Sequence, residues 1–176
     1  VDCTLGYGGH ARELLAAVQP GGRLLAVDAD PIELPKTEVR LRSLGFPAES
    51  LIVRRTNFAG VAQLMAAELP NGADVLLADL GTSSMQLDDP SRGFTFKSDG
   101  PLDMRMNPSR GESAADLLKR ICVAKLAELL EEHSDEPRAT ALASAIMIAQ
   151  SRQPLGTTQE LAAVVRDAMA RLAQTS

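Results

Sequence analysis

The fold is decided at the start of the chain, where residues 1–10 read VDCTLGYGGH. The first four residues are typical of a buried strand, and the three glycines that follow precede a helical pattern that begins at His10. Glycine permits positive φ angles and close approach of a ligand to the backbone, and the helix behind the turn offers free N–H groups. The turn fits G-x-G-x-x-A, so a dinucleotide and S-adenosylmethionine are both open as ligands.

Strands and helices continue to alternate downstream of this turn. Short apolar runs bounded by turn residues predict strands, and apolar residues spaced three and four apart predict helices. Three strand–helix repeats that run into a fourth strand are typical of a parallel α/β sheet, which binds ligands at the carboxyl ends of its strands. We expect Pro35 to delay the second helix. The predicted order is strand 1–4, helix 10–18, strand 24–28, helix 35–44, strand 51–53, helix 61–69 and strand 74–79.

Polar and aromatic side chains follow the second and third predicted strands. Asp28 closes the second strand 28 − 8 = 20 residues after Gly8, a spacing that suits a carboxylate accepting hydrogen bonds from ribose hydroxyls. Asn57 and Phe58 follow the third strand, where an aromatic ring can stack on adenine. The structural alternatives are a tight turn beside a surface aspartate, and a phenylalanine in the core.

A long segment without periodicity, residues 80–112, follows the fourth predicted strand. Loops of this length inside a domain are usually functional or disordered. The segment is dense in hydroxyl, carboxylate and arginine side chains, and its structural alternative is a packed loop whose Asp and Arg residues pair with each other. Three helical patterns then begin near Ser113, Glu136 and Thr157, the first and the last with capping-box residues.

Composition restricts the class of protein. The 176 residues include 18 basic and 23 acidic side chains, a formal net charge of 18 − 23 = −5, which argues against a nonspecific nucleic-acid coat. Residues 89–125 carry seven basic and five acidic side chains, 7 − 5 = +2, so the rest of the chain carries −5 − 2 = −7. Two cysteines cannot form a disulfide scaffold or a four-ligand zinc site, and no apolar run suits a membrane span. We expect a cytoplasmic protein without a metal site.

Five segments together carry a family resemblance. They are DCTLGYGGH at 2–10, AVDADP at 26–31, NF at 57–58, DLGTSSMQLDDPSRGFTF at 79–96 and DGPLDMRMNPSRGESAADLL at 99–118. In this order they closely resemble the bacterial 16S ribosomal RNA (cytosine-N4)-methyltransferase family, which has organellar relatives. The resemblance covers nearly the whole chain. It implies a class I methyltransferase that uses S-adenosylmethionine and carries an all-helical insertion after the fourth strand.

The resemblance also implies how the chain is organised. Residues 1–112 would form the S-adenosylmethionine-binding α/β core, with an active-site loop at 80–112, and residues 113–176 would form the helical insertion lobe. The family's chain extends beyond both ends of this sequence. We therefore expect an N-terminal-to-middle fragment that lacks the C-terminal strands of the sheet, and its activity alone stays open.

Individual roles follow from the same resemblance. The expected cofactor-binding residues are Gly8, Gly9, His10, Asp28, Phe58, Asp79 and Gln86. Of these, the first three line the methionine end, Asp28 holds the ribose and Phe58 contacts the adenine. The candidate catalytic residues are Asp79, Ser83, Ser84, Asp103 and Arg105.

The implied substrate is the exocyclic N4 amine of a cytidine in small-subunit ribosomal RNA, free or in the assembling small subunit. The lone pair of this amine is delocalised into the ring, so we expect an acceptor for its protons, either Asp79 or a backbone carbonyl beside Ser83. The base must be single-stranded or flipped out of a duplex. We expect no membrane partner, and both a monomer and a dimer are open. Two other functions stay open: a methyltransferase for a protein or small molecule, and a non-catalytic cofactor-binding fragment.

Overall fold

Two parallel strands, β1 (Leu24–Asp28) and β2 (Leu51–Arg55), form the regular part of the sheet in the computed structural model, which describes residues 1–174. Their register pairs Leu24 with Leu51 and Asp28 with Arg55, so both strands end at the same edge. Both strands lie where the sequence predicts them, and β2 runs two residues further than expected.

Two extended segments continue the sheet beyond β1. Asp2 forms parallel bridges with Ala26 on one side and Leu77 on the other. The backbone N–H of Asp2 donates to Leu25 O at 2.8 Å, and that of Leu77 donates to Val1 O at 2.8 Å. The parallel α/β arrangement is therefore confirmed, in the spatial order 51–55, 24–28, 1–5 and 75–77.

The first and fourth predicted strands are nevertheless shorter than expected, since each is an extended segment held by single bridges and not a regular strand. Val75 and Leu76 are both more than half exposed, so little buried apolar surface holds the fourth segment straight.

Three helices pack on this sheet: α1 (Gly9–Ala17), α2 (Glu33–Arg42) and α3 (Val61–Glu68). The prediction that Pro35 delays the second helix to residue 35 is wrong, because α2 already begins at Glu33. Pro35 is the third residue of α2, and N–H groups in a first helical turn have no partner within the helix, so the missing N–H of proline is tolerated there. Asp30 Oδ1 accepts from the backbone N–H of Ile32 at 2.8 Å and holds the start of α2.

The core explains why β1 is apolar throughout. Leu24, Leu25, Ala26 and Val27 are almost fully buried. One face packs against residues of α1 and α2, including Leu15 and Leu41. The other face, with Leu25 and Val27, packs against apolar side chains of α3. A strand covered on both faces is typical of parallel sheets.

The helical part of the chain begins with the short helix α4 (Ser84–Asp88) and continues, after residues 89–113, with four further helices. The sequence predicts three helical patterns there, but the first is divided by extended backbone at Ile121 and Cys122. Ser113 caps its helix as expected, accepting from the backbone N–H of Asp116 at 3.1 Å. The four helices are α5 (Ala114–Arg120), α6 (Val123–Ser134), α7 (Ala139–Arg152) and α8 (Thr158–Gln174).

The chain divides into two compact units, Val1–Met85 and a second unit that begins at Gln86. Part of the long loop belongs to the second unit, because Leu102 is buried in the helical core and its N–H donates to Gly156 O at 2.9 Å. The division of function at residue 112 therefore differs from the division into compact units and stays a prediction. Among residues 1–174, none of the helices combines the length and the apolar character needed to cross a membrane.

Replacing Leu25 by alanine tests the two-faced burial of β1. Leu25 is 0% exposed, so Leu25→Ala is expected to lower the free energy of unfolding by about 2–5 kcal/mol. The matched control is Val39→Ala on α2, where the side chain is 71% exposed and a change within about 0.5 kcal/mol is expected. The measurement is urea unfolding followed by circular dichroism and by fluorescence of Tyr7, the only tyrosine. Equal unfolding midpoints for the two variants would contradict the burial.

Candidate active site

The glycine turn at the start of α1 needs glycine for two reasons. Gly6 and Gly8 have φ angles of +50° and +84°, which side chains disfavour. An added Cβ at Gly8 would also lie 2.9 Å from Thr37 Cγ2, whereas one at Gly9 would meet nothing within 4 Å. The backbone at the N-terminus of α1 is thus left open on the side of Gly9, where N–H groups can bind an anionic group.

Asp28 lies against this turn, at the carboxyl end of β1. The backbone N–H of Gly6 donates to Asp28 Oδ2 at 2.8 Å, and that of Asp30 donates to Asp28 Oδ1 at 2.9 Å. Each carboxylate oxygen retains a further lone pair. The carboxylate is therefore held in one orientation and can still accept hydrogen bonds from a ligand.

Asp79 and His10 meet at the same edge. His10 Nδ1 lies 3.6 Å from Asp79 Oδ2, and both side chains are largely exposed. The backbone N–H of Asp79 donates to Thr4 Oγ1 at 3.0 Å. This bond joins the residues that follow extended segment 75–77 to the end of extended segment 1–5. Ser83 lies nearby, since an added Cβ at Gly6 would be 3.7 Å from Ser83 Cβ.

Phe58 follows β2 in a short 3-10 turn, Phe58–Gly60, whose start is capped by Asn57 accepting from the backbone N–H of Ala59 at 3.0 Å. Phe58 is 49% exposed. The alternative of a core phenylalanine is therefore wrong, and about half of Phe58 is exposed just after the carboxyl end of β2.

Five of the predicted cofactor-binding positions and two of the candidate catalytic ones are thus brought together within the first unit, and Asp79 belongs to both sets. They are Gly8, Gly9, His10, Asp28, Asp79 and Ser83. Ser84 is the last predicted site residue of the first unit, and it is exposed at the start of α4.

The remaining candidates belong to the second unit. Gln86 is 5% exposed within α4. Arg105 Nε donates to Asp103 Oδ1 at 2.9 Å, and Arg105 Nη2 to Oδ2 at 2.5 Å. These bonds lower the pKa of the Asp103 carboxyl. Arg92 is buried and donates to the backbone oxygens of Arg105 and Met106, so the alternative of a packed loop with paired Asp and Arg side chains describes this part of the loop.

Most cations of residues 89–125 are paired with neighbouring carboxylates. Arg105 pairs with Asp103, Lys119 with Asp116, Arg120 with Glu112, and Lys125 with Glu128. Within the described chain, Lys97 and Arg110 form no ion pair. The basic excess of this segment is therefore concentrated at two exposed side chains.

Sequence reasoning missed Asp2 and Thr4, which lie beneath the site. Asp2 Oδ1 accepts from the backbone N–H of Thr4 at 3.0 Å, whereas Oδ2 is buried without a hydrogen-bond partner among residues 1–174. Burial raises the pKa of the Asp2 carboxyl. In the sequence, the polar residues Asp2 and Thr4 alternate with the apolar Val1, Cys3 and Leu5 just before the glycine turn. This alternation is a signal that could have identified both residues.

Sequence reasoning also missed Thr37 and Arg40 on α2. Thr37 Oγ1 donates to Gly6 O at 2.7 Å, and Arg40 Nη2 donates to Tyr7 O at 2.9 Å. No local pattern identifies them, because both residues reach the glycine turn only through the packing of α2. Among residues 1–174, no cluster of three or more His, Cys, Asp or Glu side chains has the arrangement of a metal site.

Several curated proteins are similar in sequence to this chain. The chain is 50% identical over 147 residues to Ribosomal RNA small subunit methyltransferase H 1 of Lachnoclostridium phytofermentans, covering 84% of this chain and 40% of the relative. It is 45% identical over 170 residues to Ribosomal RNA small subunit methyltransferase H 2 of Alkaliphilus metalliredigens, covering 96% and 48%. A relative from Burkholderia vietnamiensis, Ribosomal RNA small subunit methyltransferase H, is 43% identical over 169 residues, covering 94% and 52%.

The chain thus spans about half the length of the curated relatives it matches. A family model described as the MraW methylase family matches residues 1–176, which is the whole chain. The glycine turn, Asp28 and the His10–Asp79 pair described above all lie within this match. The chain therefore belongs to the MraW methylase family.

Proposed function

We propose that this protein is an S-adenosylmethionine-dependent methyltransferase that modifies the exocyclic N4 amine of a cytidine in small-subunit ribosomal RNA. The observation that carries the proposal is the convergence of the glycine turn, Asp28 and Asp79 at one sheet edge, in a chain of this family. The relatives named above are ribosomal RNA small subunit methyltransferases, which supports the same substrate class.

The proposed fold is that of a class I methyltransferase with an all-helical insertion after the fourth strand. The spatial order of the parallel segments, third, second, first and fourth along the chain, supports it. In this proposal residues 1–112 bind the cofactor and carry the active-site loop 80–112. Residues 113–176 form the helical lobe, of which 175–176 lie outside the described residues. The loop packs on that lobe through Leu102, so the lobe would hold the loop in place.

The residues of the first unit fit S-adenosylmethionine. The N–H groups at the open start of α1, beside Gly8, Gly9 and His10, suit the carboxylate at the methionine end. Asp28 has lone pairs left for the ribose hydroxyls, and the half-exposed ring of Phe58 suits the adenine. When bound, this cofactor supplies a methyl group activated by its sulfonium charge.

Asp79 is the proposed acceptor for the proton of the amine. Its carboxylate is exposed at the same edge as the glycine turn, with the exposed imidazole of His10 beside it. A proton taken by Asp79 can therefore pass to His10 or directly to solvent. Asp103 is a poorer acceptor, because its charge-assisted bonds from Arg105 lower the pKa of its carboxyl. We assign Asp103 and Arg105 the role of shaping the loop, and Ser83 and Ser84 that of bordering the amine. Gln86 completes the cofactor site in this proposal.

The proposed partner is small-subunit ribosomal RNA, free or in the assembling subunit, with a cytidine that is single-stranded or flipped out. Phosphates require cations that are not neutralised by neighbouring carboxylates. Lys97 and Arg110 meet this condition within the described residues, whereas Lys119 is paired with Asp116. We therefore assign phosphate contacts to Lys97 and Arg110.

Transfer of a labelled methyl group tests the function directly. Incubating the chain with small-subunit RNA or assembling subunits and labelled S-adenosylmethionine is expected to place the label on N4 of a cytidine, as mapped by nuclease digestion and mass spectrometry. The full-length relative from Alkaliphilus metalliredigens, assayed in parallel, is the reference. Asp79→Asn is expected to lower the rate about 100-fold, because it removes the proton acceptor, whereas the exposed Asp88→Asn leaves the rate unchanged.

Three outcomes of this assay would contradict the proposal. Label on a protein or small molecule would indicate another substrate class. Cofactor binding without transfer, beside an active relative, would indicate a non-catalytic cofactor-binding chain. An unchanged rate and cofactor affinity in Asp79→Asn would exclude Asp79 as the acceptor.

Asp28→Asn tests the cofactor site. It is expected to weaken S-adenosylmethionine binding about tenfold or more, because hydrogen bonds to a charged carboxylate are among the stronger ones. Isothermal titration calorimetry measures the dissociation constant. Glu13→Gln, which neutralises an exposed carboxylate on α1, is the matched control and should bind as the unaltered chain does. An unchanged dissociation constant for Asp28→Asn would argue against a ribose contact.

Removal of single cations tests the RNA surface. Lys97→Ala and Arg110→Ala are each expected to weaken RNA binding and to lower the slope of log K against log salt by about 0.7–0.9. Lys119→Ala is the matched control, with a smaller effect, because its charge is already offset by Asp116. Filter-binding titrations at several salt concentrations give the slope. A larger effect for Lys119→Ala than for Arg110→Ala would contradict the assignment.

A further inference from the structure

Two side chains of α2, Thr37 and Arg40, contact the backbone of the glycine turn. Thr37 is 0% exposed, and its hydroxyl donates to Gly6 O at 2.7 Å. Its Cγ2 lies so close to Gly8 that an added Cβ there would be 2.9 Å away. The turn therefore packs directly against Thr37, and no room is left for a side chain at Gly8.

Arg40 lies one helical turn further along α2 and holds the next residue of the turn. Its Nη2 donates to Tyr7 O at 2.9 Å and to Thr37 Oγ1 at 2.8 Å. Its Cζ lies 3.5 Å from the centroid of the Tyr7 ring, in cation–π contact. Arg40 Nε is buried without a hydrogen-bond partner among the described residues, so the guanidinium is positioned by the turn and not by its own best hydrogen bonding.

These contacts act on backbone that samples many other conformations when left free. Gly6 and Gly8 have positive φ angles, and glycine loses more conformational freedom on ordering than any other residue. A turn that is ordered before its ligand arrives binds with less loss of entropy. Contacts that order the turn therefore strengthen binding without touching the ligand.

We propose that Thr37 and Arg40 are positioning residues that clamp the turn Gly6–Gly8 in its ligand-binding conformation. This inference rests on the proposed function, since the ligand of the turn is S-adenosylmethionine there. The affinity for the methyl donor then depends on a helix that lies outside the glycine motif, through the chain Arg40, Thr37 and Gly6 O.

Tyr7 provides a direct readout of the clamp, because the chain has one tyrosine and no tryptophan. Arg40→Ala uncovers one face of the ring and is expected to raise the acrylamide quenching constant of Tyr7 without any ligand present. It is also expected to weaken S-adenosylmethionine binding about tenfold. Lys36→Ala removes an exposed cation one turn earlier on α2 and is the matched control, with both quantities unchanged.

Two further variants separate the contacts of the clamp. Arg40→Lys keeps a cation for the ring but cannot reproduce the two bonds from one planar nitrogen, so its affinity should fall between those of the unaltered chain and Arg40→Ala. Thr37→Val keeps the shape of the side chain and removes the hydroxyl, so it should weaken binding in the same direction as Arg40→Ala. Far-ultraviolet circular dichroism and urea unfolding establish that each variant is folded.

Unchanged Tyr7 quenching in a folded Arg40→Ala variant would overturn the clamp. Unchanged affinity in both Arg40→Ala and Thr37→Val would overturn it equally. If the unaltered chain does not bind S-adenosylmethionine, the proposed function fails separately, and ligand-free Tyr7 quenching alone then decides the clamp.

Discussion

The hydrogen bond from the backbone N–H of Gly6 to Asp28 Oδ2, 2.8 Å long, is the interaction on which the first unit depends. It joins the glycine turn to the end of the central strand, and the other oxygen of the same carboxylate orients the backbone of Asp30. Asp30 in turn starts α2, which carries Thr37 back to the turn. One carboxylate thus links the strand end, the turn and the helix that supports it.

A different constraint organises the loop of the second unit. Arg92 is buried and holds the backbone oxygens of Arg105 and Met106, while Arg105 is occupied by both oxygens of Asp103. Met104, between the members of that pair, has a φ angle of +62°. Such a conformation persists for a residue other than glycine only when its surroundings determine it. The charged side chains of the loop therefore stabilise its conformation, in addition to being candidate catalytic residues.

Local sequence was sufficient for the elements whose determinants are local. The strand at 24–28, the start of the strand at Leu51 and the Ser113 cap all depend on apolar runs and on residues three positions apart. The predicted start of α2 at Pro35 is wrong, because proline breaks a helix in its interior but is tolerated in the first turn, where Pro35 lies. The break between α5 and α6 at Ile121 and Cys122 could not be predicted from local sequence, because no glycine or proline lies there.

For the site, the sequence by itself determined the residue types, their order and the family, because the glycine turn, Asp28 and the segments from Asp79 onward are contiguous motifs. Only the tertiary structure decided which of these side chains meet. It brought His10 to Asp79 across 69 residues of sequence (79 − 10 = 69), paired Asp103 with Arg105, and placed Thr37 and Arg40 against the turn. The physical reason is that motifs are read along the chain, whereas hydrogen bonds and ion pairs form between whatever groups the packing of strands and helices brings within reach.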